Sequence, residues 1–324
     1  MRPLLKIASG LLLLCLSVGA AHAQDRYPSW TVRIIVPTSA GGVTDVLGRV
    51  IAQGLTQAWG QTVIVDNRPG ADQIIGTETV ARSAADGYTL MVTSDAAMTG
   101  NPHLHKNLRY DSLKDFTPLV MLGQITPVLN VPSSLPVHSF AELVALAKAK
   151  PGALNYASFG SGTYSHLSME DLKQRAGIDL FHIVYKGSTP AITALLRGEI
   201  SVQIVNMGNI AANARAGSIR IIAAAGARRS SFLPDLPTIA EAGVPGFSTG
   251  AWWGLFAPAN LPSDIADKIR ADVARILATP EARKLYETQT IERVELTPEQ
   301  FARLLRDDHA KWGRLIQAVG LKPH

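Results

Sequence analysis

The sequence predicts an α/β protein built as two similar halves around a hinged cleft. Three observations carry this. A strand, a glycine bend and a helix follow one another from Thr31 to Gly60; the same succession returns from Asn155; and the carboxyl end supplies long amphipathic helices that need a partner surface.

In the first half, "TVRIIVP" (31–37) reads as a buried strand, and the bend "TSAGGVTD" opens a helix with Val46, Leu47, Val50, Ile51, Leu55 and Trp59 on one face, closed by Gly60. The strand "TVIVDN" leads through "RPGADQIIG" to a helix around 77–84, and Asp86-Gly87 turns the chain into a third strand, "YTLMVTS", ending in a polar loop. The second half gives the strand "NYAS", the bend "FGSGTYSH", a helix to about Ala176, the strand "FHIVYKG" and the helix "STPAITALLRG", with Pro190 suited to a first turn. The strand "ISVQIVN", the short helix "NIAANARAG" and the strand "IRIIAAAG" follow. Helices over about 263–278 and 298–318 are expected to fold back onto the first half. Two extended connectors, near 127–132 and 252–257, would then act as hinges. This gives a first domain of residues 24–127 and 254–324 and a second of 128–253.

Residues 1–23 read as a secretory signal: Arg2 and Lys6, then "LLLLCLSV", then Ala21-His22-Ala23 before a cut near Ala23. A lipid anchor on Cys15 is disfavoured because Leu14 stands where a small residue is needed. Cleavage removes the single cysteine, which excludes disulfide and thiolate chemistry from a mature chain expected in the periplasm. The 47% hydrophobic composition can support a real core. The net charge of +5 is mild and its cations are scattered, so a nucleic-acid groove is not expected. No metal or cofactor is called for, and the protein is expected to be a monomer.

A glycine bend before a helix leaves backbone N–H groups free where an anion is the favoured guest. Gly41 and Gly42 could equally form a tight turn without a ligand, and the matching bend at Gly160–Gly162 favours the binding reading. Asp45 fits a helix cap better than a ligand contact. Ser158, Ser161 and Thr163 can donate hydroxyls to a carboxylate or satisfy their own turn. His166, in the first turn of the next helix, can serve ligand or backbone. Tyr185 and Lys186 precede another helix start at Ser188, and Ser94 and Asp95 end the third strand, where open α/β sheets place ligand loops. Trp252 and Trp253 could stack on a planar ligand or brace a hinge.

In order and spacing, "YPSWTVRIIVPTSAGGVTD", "NRPGA", "ADGYTLMV", "LNYASFGSGTYSHL", "YKGSTPAITALLRGEI", "LPDLPTIAEAGVPGF" and "WWGLFAPANLP" resemble the Bug-type receptors of tripartite tricarboxylate transporters, from Tyr27 to the end of the chain. The resemblance implies a type II periplasmic binding protein fold that closes on a small organic acid and hands it to an integral-membrane permease. It places ligand contacts on Thr38, Ser39, Ala40, Gly41, Gly42, Thr44 and Asp45 of the first bend. On the second bend it places them on Ser158, Gly160, Ser161, Gly162, Thr163 and His166. Ser94, Ser188, Asn206 and Trp252 complete the candidate site.

The chain departs from the family pattern at Thr38, where an aromatic residue is frequent, at Val205, where aspartate is common, and at Asp72-Gln73, where glycines are frequent. Loss of that aspartate argues against an amino-acid ligand. Two other functions share the pattern: a sensing subunit for a signalling partner, and a hydrolase using Ser161 and His166. The latter lacks the G-x-S-x-G elbow. His103-Leu104-His105 has no third metal ligand nearby in sequence.

Overall fold

A computed structural model describes residues 27–160, 163–185 and 187–323. The expected signal segment, Ser161, Gly162 and Lys186 lie outside the described residues.

Two five-stranded sheets form the two lobes. The first takes β1 (Val32–Val36), β2 (Val63–Asn67), β3 (Thr89–Ser94), β4 (Phe116–Ile125) and β10 (Ala251–Pro258) in the order β2-β1-β3-β10-β4. The second takes β5 (Pro127–Pro132), β6 (Asn155–Ser158), β7 (Phe181–Val184), β8 (Val202–Asn206) and β9 (Ile219–Ala224) in the order β7-β6-β8-β5-β9. In each sheet three strands run parallel and the fourth, β10 or β5, is antiparallel to both its neighbours. The lobes therefore share one topology.

Both expected connectors are strands instead. "PVLNVP" is buried along its whole length and pairs with β8 and β9, and "AWWGLFAP" sits between β3 and β4. Runs this apolar cannot cross solvent as bare backbone, so each is drawn into a sheet at the point where the chain changes lobe.

The helices are α1 (Val43–Trp59), α2 (Ile74–Ala81), α3 (Asn101–Leu104), α4 (Phe140–Ala149), α5 (Tyr164–Ala176), α6 (Ser188–Leu196), α7 (Met207–Arg215), α8 (Ser263–Leu277), α9 (Pro280–Gln289) and α10 (Pro298–Ala318). A π-type turn, Ala96–Gly100, replaces the loop expected after β3. Strand alternation divides the first lobe's core. Val32, Ile34, Leu90 and Val92 face α1 and α8 through Leu47, Ile51, Leu55, Ile269 and Val273; Ile35 and Met91 face the opposite layer with Phe256, Phe301 and Leu305. Helix α1 ends as the sequence predicts, on Gly60 at φ 65°, whose N–H closes on Thr56 O.

Helix α10 begins with a capping box formed by Thr297 and Gln300. It does more than cover the first lobe. Its Trp312, Leu315 and Ile316 pack on Leu167 of α5, so the last helix touches both lobes. Thr290 Oγ1 to Asn206 Oδ1 (3.1 Å) and Ser230 Oγ to Glu292 Oε1 (2.6 Å) add polar links across the junction. Among the described residues no helix is long and apolar enough to cross a membrane.

Candidate anion site at the strand ends

The first bend joins β1 to α1. Gly41 has φ +91°, a conformation that L side chains rarely adopt, and Gly42 is the N-cap in extended backbone with no side-chain cap. A Cβ built at either glycine meets nothing within 4 Å, and Ser39 to Gly42 are exposed, so the space in front of α1 is open. Asp45 lies beneath this surface rather than on it. Its Oδ2 accepts from the Gly41 amide (2.8 Å) and from Arg49 Nε (3.0 Å), while Oδ1 accepts from Asn67 Nδ2 (2.9 Å). Burial pushes its carboxyl pKa up, but the bonds from Arg49, Gly41 and Asn67 outweigh it and hold the group below its ordinary value. Thr44 is also engaged inside the lobe, where its Oγ1 accepts from Trp253 Nε1 at 3.1 Å. Thr38 offers its carbonyl to Asn67 Nδ2 (3.1 Å), and its hydroxyl oxygen is enclosed with no hydrogen-bond partner among the described residues.

In the second bend, Gly160 stands at φ +140° and Thr163 is the N-cap of α5 without a side-chain cap bond. Thr163 Oγ1 instead donates to Gly160 O (2.7 Å), and Ser165 Oγ accepts from the Phe159 amide (3.0 Å). Ser158 is 0% exposed, so it supports the bend from below. Its Oγ lies 2.7 Å from His182 Nε2. The His182 ring is stacked between Tyr156 (4.6 Å) and His166 (4.2 Å). Burial, and then the neighbouring His166, bring His182 down to about 4; burial also lowers His166. Both imidazoles are thus favoured neutral at neutral pH. Among the described residues Ser158 and His182 form a Ser–His pair, and its oxygen is closed off from any substrate.

The remaining candidates divide. Ser188 opens α6 behind Gly187, an N-cap at φ 107° with no side-chain cap, and Asn209 Nδ2 reaches its hydroxyl at 3.4 Å. Asn206 caps α7 and takes the Thr290 hydroxyl, so its side chain is occupied at the lobe junction. Ser94 Oγ donates to Gln73 Oε1 (3.2 Å). Trp252 is held inside the first lobe. It is 4% exposed, its indole donates to Asp308 Oδ2 (2.8 Å), and its ring packs edge-on against Phe301. His103 turns to His309 and His105 to Asp72, and no metal-binding group occurs among the described residues.

A run of contacts leads from the first bend across β10 to the end of β3. Thr44 on the first bend bonds Trp253, which pairs in register with Ser94. The two bends lie at the carboxyl ends of β1 and β6, the kind of position where open α/β sheets receive ligands. Helices α1, α5 and α6 have no side-chain cap, as is also true of α2, α3 and α8, whereas α7 is capped by Asn206. Helices α4, α9 and α10 are capped by Ser139, Thr279 and Thr297. An uncapped helix start keeps its first N–H donors and the positive end of its dipole available to an anion.

Sequence reasoning missed His182, Ser165, Asn67 and the role of Gln73. His182 had a faint signal, a polar residue inside an apolar strand beside the second bend. The others contact through tertiary packing and had none.

A family profile described as "Tripartite tricarboxylate transporter family receptor" matches residues 47–321. Protein BugT of Bordetella pertussis is 33% identical over 314 residues, covering 97% of this chain and 96% of the relative. The R. palustris protein Rpa4515, solved with adipate, is 34% identical with a TM-score of 0.73 over 92% of this chain and 100% of the other. MatC from Rhodopseudomonas palustris, solved with bound malate, is 29% identical with a TM-score of 0.68 over 90% of this chain and 100% of the other. With most of its length matched and its two-lobed fold shared, the chain belongs to the tripartite tricarboxylate transporter receptor family.

Proposed function

We propose that the protein binds the carboxylate of a small organic acid between the two bends, and that the loaded receptor delivers it to the permease subunits of a tripartite transporter. The observation that carries this reading is the matched pair of glycine bends at the carboxyl ends of β1 and β6, each opening a helix without a side-chain cap. A carboxylate there accepts N–H and hydroxyl bonds from both lobes, so closure and binding become one equilibrium. Charge-assisted bonds of this kind contribute about 1.5–3 kcal/mol each, and a handful reaches micromolar affinity after ordering costs. The adipate and malate carried by the two similar structures fit this chemistry. Export by the leader, with cleavage near Ala23, would place the receptor in the periplasm, and its role is binding without turnover.

The test is a thermal-shift screen over mono-, di- and tricarboxylates followed by calorimetry on the hits. A ligand at a hundred times its Kd adds about 2.7 kcal/mol of stability. The reading predicts a stabilising acid that is recovered unchanged. No shift with any carboxylate, or chemical conversion of the acid, would contradict it.

A further inference from the structure

Strand β4 is the outer edge of the first sheet, with β10 and β3 between it and β1. Its free edge is covered only in part. Gln124 and Glu292 exchange two backbone bonds (2.9 and 2.7 Å) in an isolated antiparallel bridge, and from 293 to 297 the chain runs on to α10 outside any strand. Between this segment, β4 and α8 lies a cavity of about 270 Å³. Its walls are mainly apolar, with Leu119 and Met121 from β4, Ala274 and Leu277 from α8, and Val294 and Leu296 from the segment. An apolar cavity of ~150 Å³ accepts benzene, so this one has room for a ring or a medium-length chain.

Two arginines, Arg270 and Arg293, stand in the same wall. Arg270 Nη1 donates to Asp267 Oδ1 (2.9 Å) and Nη2 reaches Pro118 O at 3.5 Å, while Nε is enclosed with no hydrogen-bond partner among the described residues. A charged donor enclosed in this way is costly and marks a place for an acceptor. Arg293 Nη1 reaches Leu277 O (3.4 Å), and its Nη2 pairs with Glu295 (2.7 Å). The acids that serve the two arginines are turned to water: the Asp267 and Glu295 side chains are 74% and 78% exposed, and Glu299, within electrostatic reach of Arg270, is exposed as well. Ion pairs this open hold weakly, so the guanidinium groups remain available to a carboxylate that arrives with an apolar body of its own.

We propose that this cavity is a second binding site, for an amphipathic monocarboxylate of the medium-chain alkyl or aryl class, with its carboxylate on Arg270, Arg293 as the second cation of the wall, and its apolar body against β4 and α8. The cavity shares no residue with either bend, and two strands separate it from β1. Its selectivity is for a single charge. A diacid of the same length would carry its second carboxylate in among Leu119, Met121 and Leu277, where nothing repays its desolvation.

The test is calorimetry of the full mature chain with octanoate, beside octanol as the uncharged control. Wild type is expected to bind octanoate at least tenfold more tightly than octanol. Arg270→Gln removes the charge, and Ala274→Phe, at an exposed position of α8, fills the cavity. Each should weaken octanoate at least tenfold and leave the Kd of the acid that binds the bends most tightly within twofold of wild type. No heat with millimolar octanoate, equal affinity for octanol, or unchanged octanoate affinity in the folded Ala274→Phe variant overturns the site. Octanoate binding that Gly42→Val abolishes and Ala274→Phe spares belongs to the bends, and overturns it equally.

Discussion

Asp45 accepts the Gly41 amide hydrogen at 2.8 Å from beneath the first bend. An acidic side chain thus holds the backbone of the bend from below. Its charge is paired with the half-exposed Arg49, and its second oxygen accepts from Asn67. Asp45→Ala should lower stability by about 2 kcal/mol through the orphaned Gly41 and Asn67 donors. It should also weaken ligand binding at least tenfold. Urea unfolding and calorimetry on the same variant check both numbers. Because the folded-state pKa is depressed, the stabilisation from Asp45 is present above the unfolded value of about 4 and is lost as pH falls through the folded value.

Asp95 has the opposite sign. Burial, reinforced by the Asp308 charge, raises its pKa to about 7, with the Ala96 and Trp252 amides and Lys311 offsetting part of the shift. The folded state then holds a proton that the unfolded state has released, so this residue removes stability as pH climbs from about 4 to about 7. His182, depressed to about 4, works in the other direction between its folded value and its unfolded value of about 6.5. Asp95→Asn, which can still accept the two backbone bonds, should raise the Tm at pH 8 more than at pH 5. Equal shifts at the two pH values would contradict the raised pKa.

The two adjacent tryptophans should separate cleanly. Trp253 holds Thr44 at the first bend, whereas Trp252 holds Asp308 on α10. Trp253→Phe should cost about 1 kcal/mol for the lost hydrogen bond and weaken binding. Trp252→Phe should lower the Tm and leave the ligand Kd within twofold of wild type. A Kd that moves more for Trp252 than for Trp253 would reverse their roles.

Much of this architecture was legible because it rests on local pattern. The buried strand at 32–36, the bend glycines and the α1 stop at Gly60 follow from alternation, from positive φ and from helix period, all of which are written in neighbouring residues. Helix α10 was likewise marked by its apolar stripe. The resemblance supplied what pattern could not, the pairing of the two bends into one site. What stayed hidden depended on partners far along the chain. Strands β5 and β10 looked like connectors because only their neighbours in the two sheets make them strands. Ser158 and Asp45 have residue types that suit a ligand, and only the fold turns them inward. Trp252 and Trp253 are indistinguishable in sequence, since strand alternation decides which one reaches Thr44.

The central claim is that the first bend presents bare backbone to the ligand, and Gly42 tests it most directly. Its φ is −79°, and a Cβ there meets no atom within 4 Å, so Gly42→Val fits the backbone and crowds nothing within the protein. Calorimetry with the tightest-binding acid, beside a thermal melt, is the measurement. The account predicts a Tm within about 2 °C of wild type, roughly the shift that a 1 kcal/mol change brings in a chain of this size, and at least a hundredfold loss of affinity. Unchanged affinity in the folded variant would contradict it.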